Sequence, residues 1–248
     1  MATTLATETW TGTTGAAWPS QWTSRRGNNT IQSNAGRMVA PSTASLDYAR
    51  TDLTGMSTSQ DMDLVVTVQS ISSGVQQFAG VHIDSDVSYN TSNAAGGWYP
   101  DNCYALEMLF NSNSSTSTVT LVSMDGGAQN NLATATLNLG GNTRYKARLQ
   151  RIGTALNARV WAASATEPTT WNVSTTISGS KSGRVGLTSA NGNVAAARSF
   201  NFDDLTVTDA GSGNTAGFKL WSGSAELPLT TAGLWNGSAL VPVTVSNT

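Results

Sequence analysis

Thr143-Arg-Tyr-Lys-Ala-Arg-Leu-Gln-Arg-Ile152 alternates without a break, with Tyr145, Ala147 and Leu149 set against Arg144, Lys146, Arg148 and Gln150. Side chains along a strand repeat with period two, so this stretch has one dry face and one wet face. That is the pattern of an antiparallel strand packed on one side only. After Gly153-Thr154, Leu156, Ala158, Val160 and Ala162 alternate with Asn157, Arg159 and Trp161. Two such strands joined by a tight turn need a second layer over their apolar face.

The same signature extends in both directions. Upstream, Leu64, Val66 and Val68 alternate along Asp61–Ser70. Gln76–Asp84 sets Phe78, Gly80, His82 and Asp84 against Gln77, Ala79, Val81 and Ile83. Cys103–Phe110 sets Tyr104, Leu106, Met108 and Phe110 against Ala105, Glu107 and Leu109. Asp125-Gly-Gly127 lies between two strand-like runs and predicts a hairpin. Downstream, Trp171–Ile177 predicts an edge strand, Gly183–Ser189 another strand, and Phe200–Val207 the last. The parity of that last strand slips between Phe202 and Leu205, which predicts a bulge at Asp203-Asp204. Nearer the N-terminus, Trp10, Trp18 and Trp22 fall close together, and two short strands around Ile31 and Gly36–Ala40 join at Asn34. No amphipathic helix stands out. About a dozen short strands at this spacing predict an all-β, antiparallel two-sheet jelly-roll sandwich over residues 1–209.

Residues 210–217 are rich in Gly and Ser and predict a flexible linker. Beyond it, over 218–248, a segment repeats: Leu220-Trp-Ser-Gly-Ser-Ala returns as Leu234-Trp-Asn-Gly-Ser-Ala, an offset of 14 residues from Trp221 to Trp235. The Asn-Gly and Ser-Gly dipeptides are turn signals, so each copy predicts a small β-hairpin. A lone hairpin is marginal in water. Trp221, Leu234, Trp235 and Val241 therefore point to an attachment or oligomerisation element, and the plainer alternative is a tail that folds back on its own domain.

Composition bounds the function. Of the 248 residues only 11% are charged, against roughly 25% in an average domain, and Ser, Thr, Asn and Gly fill the difference. The net charge of -2 gives no field for nucleic acid. The single cysteine, Cys103, excludes an intramolecular disulfide. No apolar run is long enough to insert in a membrane, and the N-terminal residues lack the basic and apolar regions of a signal peptide.

The order of several motifs resembles a known group of proteins. These are Glu8-Thr-Trp10, Trp18-Pro-Ser-Gln-Trp22, Ile31-Gln-Ser-Asn-Ala-Gly-Arg-Met38, Tyr48-Ala-Arg-Thr-Asp-Leu53, Phe78-Ala-Gly-Val-His-Ile83, the Tyr145 strand, and Phe202-Asp-Asp-Leu-Thr-Val207. Together with the twin Leu-Trp hairpins, they are similar to the concanavalin A-like (laminin-G-like) jelly rolls of bacteriophage minor tail proteins, especially those of actinobacteriophages. The resemblance covers most of residues 5–245. It implies a structural virion component at or near the tail tip, made in the host cytoplasm and present in symmetric copies. Other phage tail proteins are its implied partners; the resemblance does not by itself imply a ligand.

Five constellations bear on chemistry. Glycoside hydrolysis needs two carboxylates in a fixed pair, but the chain has only Glu8, Glu107, Glu167 and Glu226, none with an acidic residue within four positions. His82 is the only histidine and no Gly-x-Ser-x-Gly elbow is present. No catalytic residue and no cofactor are therefore expected. Calcium stays open, with oxygen donors available from Asp84, Asp86, Asp101 and Asn102.

The stretch 89–104 combines Tyr89, Trp98 and Tyr99 with Asp101 and Asn102. Aromatic faces and planar amides or carboxylates are what a sugar needs, and the alternative is that these rings plug the loop onto the sandwich. Arg144, Lys146, Arg148 and Arg159 form a basic face that would suit an anionic glycan, or would instead meet the sandwich's own acidic residues. The leading expectation is a glycan-contacting tail protein. A glycan-cleaving enzyme on the same fold and a purely structural virion protein are the alternatives.

Overall fold

The structure is a computed structural model, and it describes residues 3–40, 48–58, 61–71, 76–86, 99–111, 116–179, 181–192 and 197–209, together with strand segments 220–221, 226–227, 232–235 and 240–243. No helix occurs among these residues. The chain divides into two compact units, Met1–Gly211 and Ser212–Thr248.

The first unit is a two-sheet antiparallel jelly-roll sandwich. Its eight-stranded sheet holds β1 (Thr3–Glu8), β3 (Asn28–Ile31), β4 (Gly36–Ala40), β6 (Met62–Ser70), β11 (Arg144–Ile152), β12 (Ala155–Ala162), β13 (Val173–Thr176) and β15 (Arg198–Asp209). The order is β13-β12-β11-β6-β15-β4-β3, and β1 pairs with the second half of β15. The seven-stranded sheet holds β2 (Trp22–Arg26), β5 (Tyr48–Thr58), β7 (Gln77–Ser85), β8 (Cys103–Phe110), β9 (Ser117–Asp125), β10 (Ala128–Leu137) and β14 (Gly183–Ala190), in the order β10-β9-β8-β7-β14-β5-β2.

The turns follow from residue chemistry. Gly126 and Gly127, at φ 59° and 84°, make the two-residue turn between β9 and β10. Such a turn needs positive φ at both positions, and its hand matches the strand twist. Ser33 and Asn34 do the same between β3 and β4 at φ 52° and 56°, and Gln32 and Ala35 exchange both backbone hydrogen bonds. The predicted bulge in β15 is present: its register with β6 shifts between Asp203 and Thr206, with Asp204 at φ 47°.

The core lies between the sheets. β11 buries Tyr145, Ala147, Leu149 and also Arg151, while Arg144 and Ile152 stay exposed. Facing it from the other sheet are Ala79, Val81, Ile83, Tyr104, Leu106, Met108 and Phe110. One end of the core is a knot of Trp10, Trp18 and Trp22, whose ring centroids are 5.0–5.5 Å apart. The buried Glu8 carboxylate organises this knot. It accepts from the backbone N–H groups of Thr9 and Trp10 at 3.0 and 2.8 Å, from Gln21 Nε2 at 2.7 Å and from Trp22 Nε1 at 3.2 Å.

One side chain departs from the alternation read in the sequence. Asp84 does not stay on the outer face with Gly80 and His82. At φ 53° it is fully buried and ion-paired with Arg151 of the opposite sheet. Left-handed backbone at this position breaks the period of two, and Asp is among the few residues that tolerate it.

In the second unit, β16 (Leu220–Trp221) pairs with β17 (Glu226–Leu227), and β18 (Ala232–Trp235) pairs with β19 (Leu240–Val243). The two hairpins share one register: Trp221 faces Glu226 as Trp235 faces Leu240, and Leu220 faces Leu227 as Leu234 faces Val241. The sequence repeat is therefore a structural repeat.

Candidate functional site

The seven-stranded sheet turns one face to the core and the other outward, and the outward face carries the chain's unusual polar residues. Thr134, Thr120, Glu107, Gly80 and Thr188 stand opposite one another on β10, β9, β8, β7 and β14 and so form one row across the sheet. The next row holds Val122, Ala105, His82, Gly186 and Asp52. A small apolar cluster of Tyr99, Cys103, Ala105, Val122, Met124 and Ala190 packs over part of this face.

Two glycines shape the surface. A Cβ on Gly186 would run into the His82 ring, and a Cβ on Gly80 would stand 2.5 Å from the Tyr99 hydroxyl. His82 is fully buried, with Nε2 3.9 Å from Asp52 Oδ1 and the ring edge-on to Tyr99. Asp52 accepts a hydrogen bond from Arg25 Nε at 2.9 Å.

Glu107 is the chemically distinctive group. Its side chain is 9% exposed, and its Oε2 has no hydrogen-bond partner. Burial pushes the carboxyl up to about 7, with a hydrogen bond from Gln129 working the other way. Near neutrality it is thus an acid that can donate as well as accept. From Glu107 the row runs outward through Thr120 to the exposed Thr134, whose hydroxyl is 3.2 Å from that of Thr120. Burial, then the nearby Glu107 and Cys103, push the Tyr99 phenol well above its ordinary value.

Tyr99 is 1% exposed. Its ring is a plug over Gly80 and not an open stacking platform, because that glycine leaves a hollow for it. Tyr89 and Trp98 lie outside the described residues. Asn102 and Asp101 tie the base of the β7–β8 connection. Asn102 donates from its backbone N–H and Nδ2 to Asp86 at 3.4 and 2.7 Å, and accepts from the Gly126 N–H at 3.0 Å. Asp101 offers its carbonyl to the Gly127 N–H at 2.9 Å.

On the basic face the arginines meet the sandwich's own acids, the second of the two readings of that face. Arg144 pairs with Asp203 at 2.7 Å, and Arg148 donates from Nε to Asp63 and from Nη1 to Glu167, each at 2.7 Å. Arg159 donates to Glu167 at 2.7 Å and to the Pro168 carbonyl at 2.6 Å, with its guanidinium 4.2 Å from the Trp171 ring centre. Burial works to raise the Glu167 carboxyl, but the hydrogen bond and charge of Arg148, with those of Arg159, outweigh it and hold it below its ordinary value. Lys146 remains half-buried on this face. The candidate assembly residues Trp221, Leu234, Trp235 and Val241 keep equivalent places in the two hairpins.

Alternation along β8 puts Glu107 on the face of Ala105, but the row across the sheet is not legible from it. Asp52, Arg25, Thr120, Thr134 and Gln129 come from four other strands, and strand order is not written in any local motif. The glycines were the available signal: Gly80 and Gly186 interrupt strong strands, which marks a close approach.

A calcium site at Asp84, Asp86, Asp101 and Asn102 does not fit the donors. The Asp84 carboxylate faces the Arg151 guanidinium, and both Asp86 oxygens accept from Asn102. No group of three or more His, Cys, Asp or Glu side chains suited to a metal occurs among the described residues.

No protein-family model matches the chain, and no curated protein matches it by sequence. Solved structures do match the fold. A carbohydrate-binding module, CBM66 of Bacillus subtilis, aligns with a TM-score of 0.55 at 12% identity, covering 75% of this chain and 94% of that one. The Emp47p carbohydrate recognition domain aligns at 0.57 and 16%, covering 78% and 90%. The VIP36 exoplasmic/lumenal domain, in its Ca2+/Man3GlcNAc-bound form, aligns at 0.54 and 10%, covering 76% and 84%. The fold is thus the jelly roll of lectin-like and carbohydrate-binding domains.

Proposed function

We propose that the sandwich is a saccharide-binding module and that the whole chain serves as a minor tail protein of a phage, meeting host cell-envelope glycan. The observation that carries the binding reading is the row Thr134–Thr120–Glu107. It leads from an exposed edge strand to a buried carboxyl that stays partly protonated near neutrality and keeps one oxygen unpartnered. Hydroxyls and a neutral carboxyl in line suit the hydroxyl groups of an uncharged sugar. Such a row does not suit an anion. The likeness to domains named for carbohydrate recognition supports this choice over other uses of the fold.

Binding is favoured over cleavage by spacing. Glu107 and Asp52 lie three strands apart on the same face, about 14 Å at ordinary strand spacing. Glycosidase pairs stand about 5–9.5 Å apart.

The virion placement rests on the motif order and on the twin hairpins. Their shared register makes the two hairpins equivalent, which supports a role in holding symmetric copies or neighbouring tail proteins.

A pull-down on insoluble bacterial cell walls tests the binding reading. The wild-type chain is expected to co-sediment. Thr120→Val and Thr134→Val should each weaken retention roughly three- to tenfold, the worth of about one hydrogen bond. Retention unchanged in both variants would remove the row from the site.

A further inference from the structure

β7 ends at Ser85 and β8 begins at Cys103, and two side-chain cations sit near the residues that flank the connection between them. Asp84 of the seven-stranded sheet and Arg151 of the eight-stranded sheet form an ion pair in the core, both buried. Arg151 Nη1 also donates to the Lys181 carbonyl at 3.1 Å. Lys181 in turn reaches the β9–β10 turn. Its Nζ donates to Ser123 Oγ at 3.0 Å, to Asp125 Oδ1 at 2.6 Å and to the Met124 carbonyl, and it lies 4.8 Å from the Tyr104 ring centre.

That turn also holds the returning end of the connection, through the Gly126 N–H on Asn102 and the Gly127 N–H on the Asp101 carbonyl. The outgoing end is held by Asp86, whose N–H donates to the Asn102 carbonyl at 3.1 Å, and by Ser85 Oγ, which donates to the Arg184 carbonyl at 2.8 Å. Oxygens from three separate segments, at Asp84, at Ser123–Asp125 and at the Lys181 carbonyl, thus converge on one guanidinium and one ammonium.

We propose that Arg151 and Lys181 are positioning residues that fill the role of a bound cation at the base of this connection, so that both its ends are set by the protein's own charges and without a divalent metal. A buried carboxylate needs a compensating charge, and Asp84 receives it from a permanently charged guanidinium reaching across the core. A guanidinium beside Asp84 also repels a second cation, so the same contact excludes calcium. This inference does not rest on the saccharide-binding reading, and its test needs no saccharide.

The test is thermal unfolding of the full chain in calcium chloride and in EDTA, combined with terbium luminescence and amide exchange. The wild-type Tm should be the same in both solutions, with no saturable terbium emission. Lys181→Met should speed exchange at the Asn102, Gly126 and Gly127 amides, and Lys181→Arg should restore much of the protection. Arg151→Met should lower Tm by about 5 °C or more, with Arg151→Lys recovering part of it. A calcium-dependent rise in Tm, saturable terbium binding by the wild type, or unchanged exchange in Lys181→Met would each overturn the proposal. If these results hold while cell walls are not bound, the role of Arg151 and Lys181 stands and the saccharide reading fails.

Discussion

The Tyr99 hydroxyl stands 2.5 Å from the point where a Cβ on Gly80 would be, with Thr188 Cγ2 only 2.7 Å from the same point. Gly80 is therefore the seat of the plug. Gly80→Ala should force Tyr99 outward and cost about 1–3 kcal/mol, as overpacking does. Urea unfolding checks it: the midpoint should fall with little change in slope.

Glu107 makes stability depend on pH in a defined direction. Its folded carboxyl is raised to about 7 from an unfolded value near 4.5. Between those values the native state binds more protons than the unfolded state, so stability falls as pH rises through this window. Glu107→Gln cannot ionise. Its stability relative to wild type should therefore rise between pH 5 and pH 8, by on the order of 2–3 kcal/mol. Denaturant melts at the two pH values read this directly, and a constant difference would contradict it.

The sandwich itself was legible because alternation along β6, β8, β11 and β12 is physically forced by a buried face. Gly126-Gly127 and the slip at Asp203-Asp204 were legible for the same kind of reason, since local backbone chemistry decides them. The site was less so. The parity that buries Leu149 also buries Arg151, but its partner Asp84 comes from the other sheet and reaches it only through a left-handed residue. Tyr99 reads as a binding aromatic until the Gly80 hollow is known. The basic face reads as open until Asp63, Glu167 and Asp203 are brought to it by β6, the β12–β13 connection and β15.

At the tryptophan knot, the missing Cβ of Gly36 would lie 2.7 Å from Cδ2 and Cε2 of the fully buried Trp10 indole. Gly36→Ala should destabilise the sandwich by roughly 2 kcal/mol or more. A drop in Tm with the loss of near-ultraviolet tryptophan dichroism is the expected observation.

The arginines of the eight-stranded sheet are neutralised by Asp63 and Glu167. The wild-type chain should elute early from immobilised heparin. The double variant Asp63→Asn, Glu167→Gln should need distinctly more salt, because it frees Arg148 and Arg159 to meet sulfate groups.

The central claim is that the outer face of the seven-stranded sheet binds an uncharged saccharide through the row ending at Glu107. The most direct measurement is an array of bacterial cell-envelope glycans probed with the labelled full chain at pH 6 and pH 8.5. The predicted result is binding to neutral saccharides that is stronger at pH 6 and is lost in Thr120→Val. Binding to none of the saccharides, or binding unaffected by both pH and Thr120→Val, would contradict it.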